Sequence, residues 1–479
     1  MPPETSRAHP RAWALGVGVP VALALLPVLA VRPIGDPSPW LHLKVGSFLA
    51  GGGTFGLPDP WSPQATHAYV PTQWLPSVAT AELYPHLGTA LIAWERTAGI
   101  ALLALALLVW ASTVARVWVA VAVTVGALFA AWPSLTERPQ LAGFLLLVPV
   151  LAAWWRTATD HRPRWWLVPL TWLAASVHGV WATGAAIGGV IALSVIASGA
   201  VPRRAALRLL GLLAACAAAA ACTPIGPRLL LTPFAISGQG RQFVQEWMPS
   251  SVRSPHVLVA LGLLAVAWLC WVGRGRRMPG WQVVLVVVAC ALALTMERTV
   301  AIAALVAVPL AATGVETALR AREQAGSLTV AATELPATGH TRWLWAAAAL
   351  VGLVLAVPVA AHRADTATRV PTALASQLEA LPRDTRVLVD GDTSGWVMFT
   401  APQLRLVYDL RVESYSPRQV EQFIGAMSAD PGWSRYVQDN GVTVALVRTD
   451  SPVRAALTEQ DHWSEAGRDS GLVLLKAPR

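Results

Sequence analysis

Apolar runs long enough to span a bilayer recur near residues 12–31, 97–114, 117–132, 139–155, 165–177, 180–198, 206–222, 256–273, 281–296, 299–315 and 343–361. A helix needs roughly 20 mainly apolar residues to cross the hydrocarbon core, so the pattern predicts about eleven transmembrane helices. His178-Gly179 interrupts the run through 165–198, which reads as two helices or one broken pair. Beyond residue 371 the pattern changes. Charges become frequent, and short β-type runs at 386–390 (RVLVD), 405–410 (RLVYDL), 442–448 (VTVALVR) and 471–477 (GLVLLKA) alternate with helix-like segments near 417–429 and 451–460. Strands alternating with helices predict a small α/β domain with a mostly parallel sheet. It carries no GxGxxG or P-loop pattern.

The expected organisation is a membrane module over 1–315 with a large first loop at 32–96. A polar, partly helical linker follows at 316–342, then a last span at 343–361 and the α/β domain at 362–479. Composition agrees with this division: 55% of residues are hydrophobic and 13% charged, against about a quarter charged in soluble domains. The net charge of +9 does not point to nucleic acid, because the arginines sit in short clusters between apolar runs and form no basic domain. Cys216, Cys222, Cys270 and Cys290 all lie inside apolar runs without metal or CxxC spacing, and read as small buried hydrophobes.

The arginines also orient the chain. Arg7 and Arg11, Arg116, the cluster at 156–164, Arg203, Arg204 and Arg208, the cluster at 274–277, and Arg320, Arg322 and Arg342 fall in alternate connections. By the positive-inside rule those connections are cytoplasmic, the first apolar run is a retained signal anchor, and the C-terminal domain is extracytoplasmic. The opposite side then holds the loop 32–96, the Glu137-Arg138 turn, His178, residues 223–255, the Glu297-Arg298 turn and the C-terminal domain. Nearly all the uncommon polar chemistry gathers there.

The first of these loops is the richest. Asp36 follows the first span; Leu41, Val45, Phe48 and Leu49 then trace one apolar helical face, predicting a helix flat on the membrane with His42 near its polar side. Asp59-Pro60-Trp61 makes a turn and Trp74 begins a second interfacial helix. Asp36 and Asp59 can serve chemistry or simply cap helices. Arg138 and Arg298 sit at helix ends, where an arginine can pair with a phosphate or anchor to lipid headgroups. Glu137 can join Asp36 on Mg²⁺ or Mn²⁺, or form a salt bridge with an arginine. His178 can bond phosphate or sugar, or be satisfied by backbone. Glu246-Trp247 offers a carboxylate beside an aromatic platform for a sugar ring. Asp409, Arg411 and Glu413 share one face if their strand continues. They can bind an acceptor or form an internal ion network.

The stretch Asp36…Trp40-x-His42-x-x-x-Gly46, then Pro58-Asp59-Pro60-Trp61-Ser62 and Gln73-Trp74-Leu75, resembles the first external loop of GT-C-type glycosyltransferases. It is most similar to poorly characterised bacterial relatives of dolichyl-phosphate-mannose–protein mannosyltransferases. Glu137-Arg138-Pro139-Gln140, His178-Gly179, Thr223-Pro224-x-Gly226 and Asp409-x-Arg411-x-Glu413-x-Tyr415 extend the resemblance. The Trp-Trp-Asp signature of oligosaccharyltransferases is missing, and Glu137-Arg138 is not a DxD pair. The resemblance implies a plasma-membrane enzyme moving a sugar from a polyprenyl-phosphate donor to a glycan, lipid or protein outside the cytoplasm. It makes Asp36 the base; His42, Arg138, His178 and Arg298 the donor-phosphate contacts; and Asp59, Trp74, Glu246, Trp247, Asp409 and Arg411 the acceptor or sugar contacts. Asp36 and Glu137 are then the candidate metal ligands. Two other classes compete: a lipid or solute transporter, disfavoured by few mid-span charges and no repeat, and a non-catalytic envelope scaffold.

Overall fold

The computed structural model describes residues 10–199, 201–233, 242–272, 277–325, 337–364 and 370–478. Among them lie thirteen helices before the C-terminal domain. They are α1 (Pro10–Ala30), α2 (Ser38–Ala50), α3 (Trp74–Leu87), α4 (Thr89–Ala111), α5 (Val117–Ala131), α6 (Gln140–Asp160), α7 (Leu167–Val177), α8 (Val180–Ala197), α9 (Arg203–Ala221), α10 (Pro255–Val272), α11 (Gly280–Thr295), α12 (Val300–Gln324) and α13 (Gly339–Arg363). Eight helices are long and apolar enough to cross a membrane, and three further apolar helices are shorter. The outer surface displays Leu29, Val125, Leu193, Leu269, Val287 and Val354. An apolar exterior of this extent matches a hydrocarbon solvent. At the centre, α12 buries every residue from Val300 to Ala312 against α5, α10 and α11.

Two boundaries differ from the sequence expectation. The loop predicted to reach residue 96 ends at Gly88, because α4 begins at Thr89 and takes Glu95 and Arg96 into its first turns. Arg96 is satisfied there by the carbonyls of Leu135 (3.0 Å) and Ala30 (2.9 Å). The predicted linker does not begin at 316, since α12 runs on to Gln324. Arg116 draws Glu316 into that helix, with Nε 2.9 Å from Oε2, and also reaches Glu323 at 2.8 Å. The rest of the predicted linker lies mostly outside the described residues.

The C-terminal domain folds onto one end of the bundle. Its sheet, in the order β2-β1-β3-β5-β4, comprises β1 (Arg386–Val389), β2 (Arg405–Leu406), β3 (Val444–Arg448), β4 (Ser464–Asp469) and β5 (Leu472–Lys476). Only β2-β1-β3 is parallel; β5 pairs antiparallel with β3 and with β4. The sheet is therefore mixed, and the expected predominance of parallel pairing is corrected. The sequence reading missed β4, an exposed edge strand of mainly polar residues (SEAGRD) that lacks an apolar alternation to reveal it.

The domain sits on α2. Trp40, Leu41, Leu43 and Val45 pack in one cluster with Val387, Trp396, Val397 and Leu446. The expected membrane-facing apolar side of α2 is thus covered by protein. On its other flank α2 crosses α3 at backbone contact: a Cβ on Gly46 would stand 1.9 Å from the carbonyl oxygen of Ser77. The crossing also brings His42 Nδ1 to 3.0 Å from Ser77 Oγ. Gly46→Ala is expected to cost about 1–3 kcal/mol through overpacking and to break that bond. A thermal melt of the purified variant indistinguishable from wild type would refute the contact.

Candidate active site

A cavity of about 1120 Å³ opens where the bundle meets the domain. Its walls come from the start of α2, the turn before α6, the α7–α8 break, the 244–249 segment, the turn before α12 and residues 410–413 of the domain. Helix ends meet here because Pro139, Gly179 and the Glu297–Thr299 turn each interrupt an apolar run and leave a polar side chain at the bundle surface.

Five of the expected residues form one connected network. Asp36 Oδ1 caps α2 by accepting from Ser38 N (2.9 Å), and Oδ2 accepts from Arg138 Nε at 2.7 Å. Arg138 Nη1 reaches both oxygens of Glu246, at 2.8 and 2.9 Å. Glu246 also meets Arg298 Nη1 at 3.4 Å, and Arg298 Nη2 lies 3.1 Å from His178 Nε2. These contacts join positions up to 262 residues apart (Asp36 to Arg298), so the local cap reading of Asp36 is correct but incomplete. Burial alone would raise the Asp36 pKa; the Arg138 charge and the two donors outweigh it and hold the carboxyl below its usual range. Burial pushes His178 well below 6.5, reinforced by Arg298, so the ring is neutral. Burial likewise lowers His42 to about 4. Ser77 Oγ donates to Gln73 O (2.8 Å). It therefore accepts from His42 Nδ1, which leaves His42 Nε2 as an acceptor at the cavity wall.

Glu137 stands apart from this network. Its Oε1 meets Arg32 Nε at 3.3 Å and Arg96 Nε at 3.5 Å, so the salt-bridge reading holds, with partners other than Arg138. Its Oε2 is buried without a hydrogen-bond partner among the described residues. Among the described residues no three His, Cys, Asp or Glu side chains group in a way that could hold a metal ion. A divalent ion shared by Asp36 and Glu137 would compete with Arg138 for Asp36 Oδ2 and with the Arg32 and Arg96 charges beside Glu137. Two carboxylates already held by arginines do not fit that ion.

Asp59, Asp409 and Arg411, expected at the acceptor, form a closed latch between the first loop and the domain. Arg411 donates to both oxygens of Asp59 (2.8 and 2.9 Å) and both of Asp409 (2.9 and 2.7 Å). Tyr415 Oη donates to Asp409 at 2.8 Å, and the guanidinium packs over Trp61 and Tyr69. The internal-network reading is the one that fits. The supposed strand is only Arg405–Leu406; the chain then turns, so period-two facing fails and Glu413 parts from the paired Asp409 and Arg411. Glu413, the third, lines the cavity. No side chain donates to it among the described residues. Burial raises its pKa, only partly countered by Arg411 and Arg298. Sequence spacing gave no reason to separate Glu413 from its neighbours.

Trp247 lines the cavity and lies under Arg298, 5.3 Å from ring centroid to guanidinium carbon. Trp74 does not; it packs edge-on against Trp172, 6.5 Å away. Sequence reading also missed a second, apolar cavity of about 400 Å³ among α6, α7, α8 and α9. Val180, Trp181, Ala182 and Pro233 line both spaces, so the apolar cavity lies beside the polar one.

No protein-family model and no curated protein matches the chain. Among solved structures it is similar to the archaeal oligosaccharyltransferase AglB from Archaeoglobus fulgidus, in complex with an inhibitory peptide and a dolichol-phosphate. The identity is 12% and the TM-score 0.53, over 91% of this chain and 69% of that one. It is also similar to ArnT from Cupriavidus metallidurans in the apo state, with 14% identity and a TM-score of 0.51 over 98% of this chain and 99% of that one. At such identities the likeness is one of fold: a polytopic helical membrane protein with a small sheet domain at its C-terminal end.

Proposed function

We propose that this chain, which has the GT-C-type fold of AglB and ArnT, is a membrane glycosyltransferase that takes a sugar from a polyprenyl-phosphate donor. The observation that carries the reading is the convergence of Arg138, His178, Glu246 and Arg298 on one cavity between bundle and domain, with Asp36 joined to them through Arg138. The dolichol-phosphate held by AglB and the apolar cavity beside the polar one support a lipid-phosphate donor. The arginine distribution supports eleven spans, a cytoplasmic N-terminus and a cavity on the outer face of a cell membrane.

Transfer needs an acceptor proton removed while the bond from sugar C1 to phosphate oxygen breaks. Asp36 is the proposed base. Arg138 keeps its carboxyl ionised, and a phosphate that draws Arg138 away raises its basicity at the moment it is needed. The electron pair of the breaking bond leaves on the phosphate, where Arg138, Arg298 and the neutral His178 oppose the growing charge. Glu413 and Trp247, which also line the cavity, offer a hydrogen-bonding carboxyl and a ring face to a carbohydrate or other hydroxyl-bearing acceptor.

The test is incubation of the purified full-length protein, in lipid nanodiscs, with radiolabelled polyprenyl-phosphate hexose and a cell-envelope extract as acceptor source. Label should appear in a product that no longer extracts with polyprenyl lipid. Unaltered donor would favour the scaffold reading. Label carried across a sealed vesicle without bond cleavage would favour transport.

A further inference from the structure

The donors around Glu246 outnumber the acceptors available to them. Arg138 spends Nε on Asp36 and Nη1 on both oxygens of Glu246. Arg298 Nη1 donates to the same carboxylate only over a long 3.4 Å. Beyond it, His178 Nδ1 accepts from Val180 N at 3.1 Å, which places the ring proton on Nε2. That N–H faces Arg298 Nη2 at 3.1 Å. Two donors therefore confront each other, and an acceptor oxygen is what the pair lacks.

We propose that Glu246 sits in the seat of the donor's phosphate in the ligand-free chain, and that the phosphate displaces it. The inference rests on the glycosyltransferase reading and adds the position and regulation of its phosphate subsite. A carboxylate is planar with two oxygens, and here both turn toward Arg138. A tetrahedral phosphodiester can place one free oxygen on each arginine and direct the ester oxygen to the sugar at His178 Nε2. As that ester bond breaks, the oxygen facing His178 becomes a charged terminal oxygen. The unmatched N–H thus gains its best partner only during transfer.

Charge makes the exchange orderly. Arg138 and Arg298 are balanced by Asp36 and Glu246, so these four side chains carry no net charge together. Withdrawal of Glu246 leaves one net positive charge, which matches the single negative charge of a phosphodiester. Glu246 is also built to leave. Its side chain is 33% exposed, its side-chain partners among the described residues are the two arginines, and it rides on a three-residue turn, Gln245–Trp247. The seat therefore admits a phosphate while excluding weaker anions that cannot outcompete a tethered carboxylate.

The experiment is a titration of full-length protein in phosphatidylcholine nanodiscs with undecaprenyl phosphate, followed calorimetrically. Glu246→Gln and Glu246→Ala are compared with wild type and with Arg298→Ala, after melting curves confirm folding. If the carboxylate occupies the seat about nine-tenths of the time, both Glu246 variants bind about tenfold tighter than wild type. Arg298→Ala should bind at least tenfold weaker. Wild-type binding with no gain in either folded Glu246 variant overturns the displacement inference and leaves the transferase reading standing. Absence of binding in wild type and both Glu246 variants overturns both.

Discussion

Arg411→Met is expected to destabilise the docking of the C-terminal domain by about 3–5 kcal/mol, the usual consequence of removing one member of a buried ion group. Arg411, Asp59 and Asp409 all have 0% side-chain exposure, so deletion of the guanidinium strands two carboxylates away from water. Tyr415 and the backbone amides of Trp61, Ser62 and Arg411 remain as partners, but they supply no full positive charge. The latch should also be acid-labile. Burial raises the Asp409 pKa, yet Arg411 and the surrounding donors bring it below 3.8. Its contribution is therefore full above about pH 4 and is lost as pH falls through the depressed native value. Hydrogen exchange on the full-length protein reads the effect. Amides of the 57–70 loop and of 405–416 should exchange faster together in the variant, while the centre of α12 stays protected. Unchanged exchange in both segments would mean that the apolar contacts of α2 alone hold the domain.

The latch also marks where reading from sequence stops working. Apolar runs of spanning length are properties of short windows, and each predicted span coincides with an apolar helix (α1 and α4 to α13). Spacing within α2 likewise identified an apolar face. What covers that face is a long-range matter, and the domain covers it where lipid was expected. Asp59 and Arg411 are 352 residues apart, and no local pattern links them. An ionisable residue at a turn looks alike in sequence whether it pairs internally or meets a ligand. Asp409 and Arg411 therefore seemed acceptor contacts, though their charges are spent on the latch, while Glu413, two residues on, lines the cavity outside it. Asp36, Arg138, His178 and Arg298 were legible as candidates because a charged or imidazole side chain between apolar runs is costly unless it meets a partner or a cavity. Their convergence was not legible; it depends on how α1, α6, α8 and α12 pack.

Asp36→Asn should lower sugar transfer by about 10²- to 10⁴-fold, the range associated with loss of a positioned general base. The substitution keeps size and shape. The amide oxygen can still accept from Ser38 N and cap α2, so the fold should be retained. Two things change: no group at this point can take a proton, and Arg138 loses the partner 2.7 Å from its Nε. The second change frees an arginine for phosphate, so binding of undecaprenyl phosphate should hold or tighten while transfer collapses. That opposition separates a base from a residue that merely positions Arg138, because a positioning residue would weaken binding and transfer together. Glu413 offers a further separation. Its carboxyl titrates above the ordinary glutamate value and Asp36 below the ordinary aspartate value, so an acidic limb in the transfer rate above the ordinary carboxylate range belongs to Glu413. Such a limb should vanish in Glu413→Gln and persist in the residual activity of Asp36→Asn. Transfer by Asp36→Asn at the wild-type rate, with donor bound normally, would remove Asp36 from the chemistry and leave it as the cap of α2.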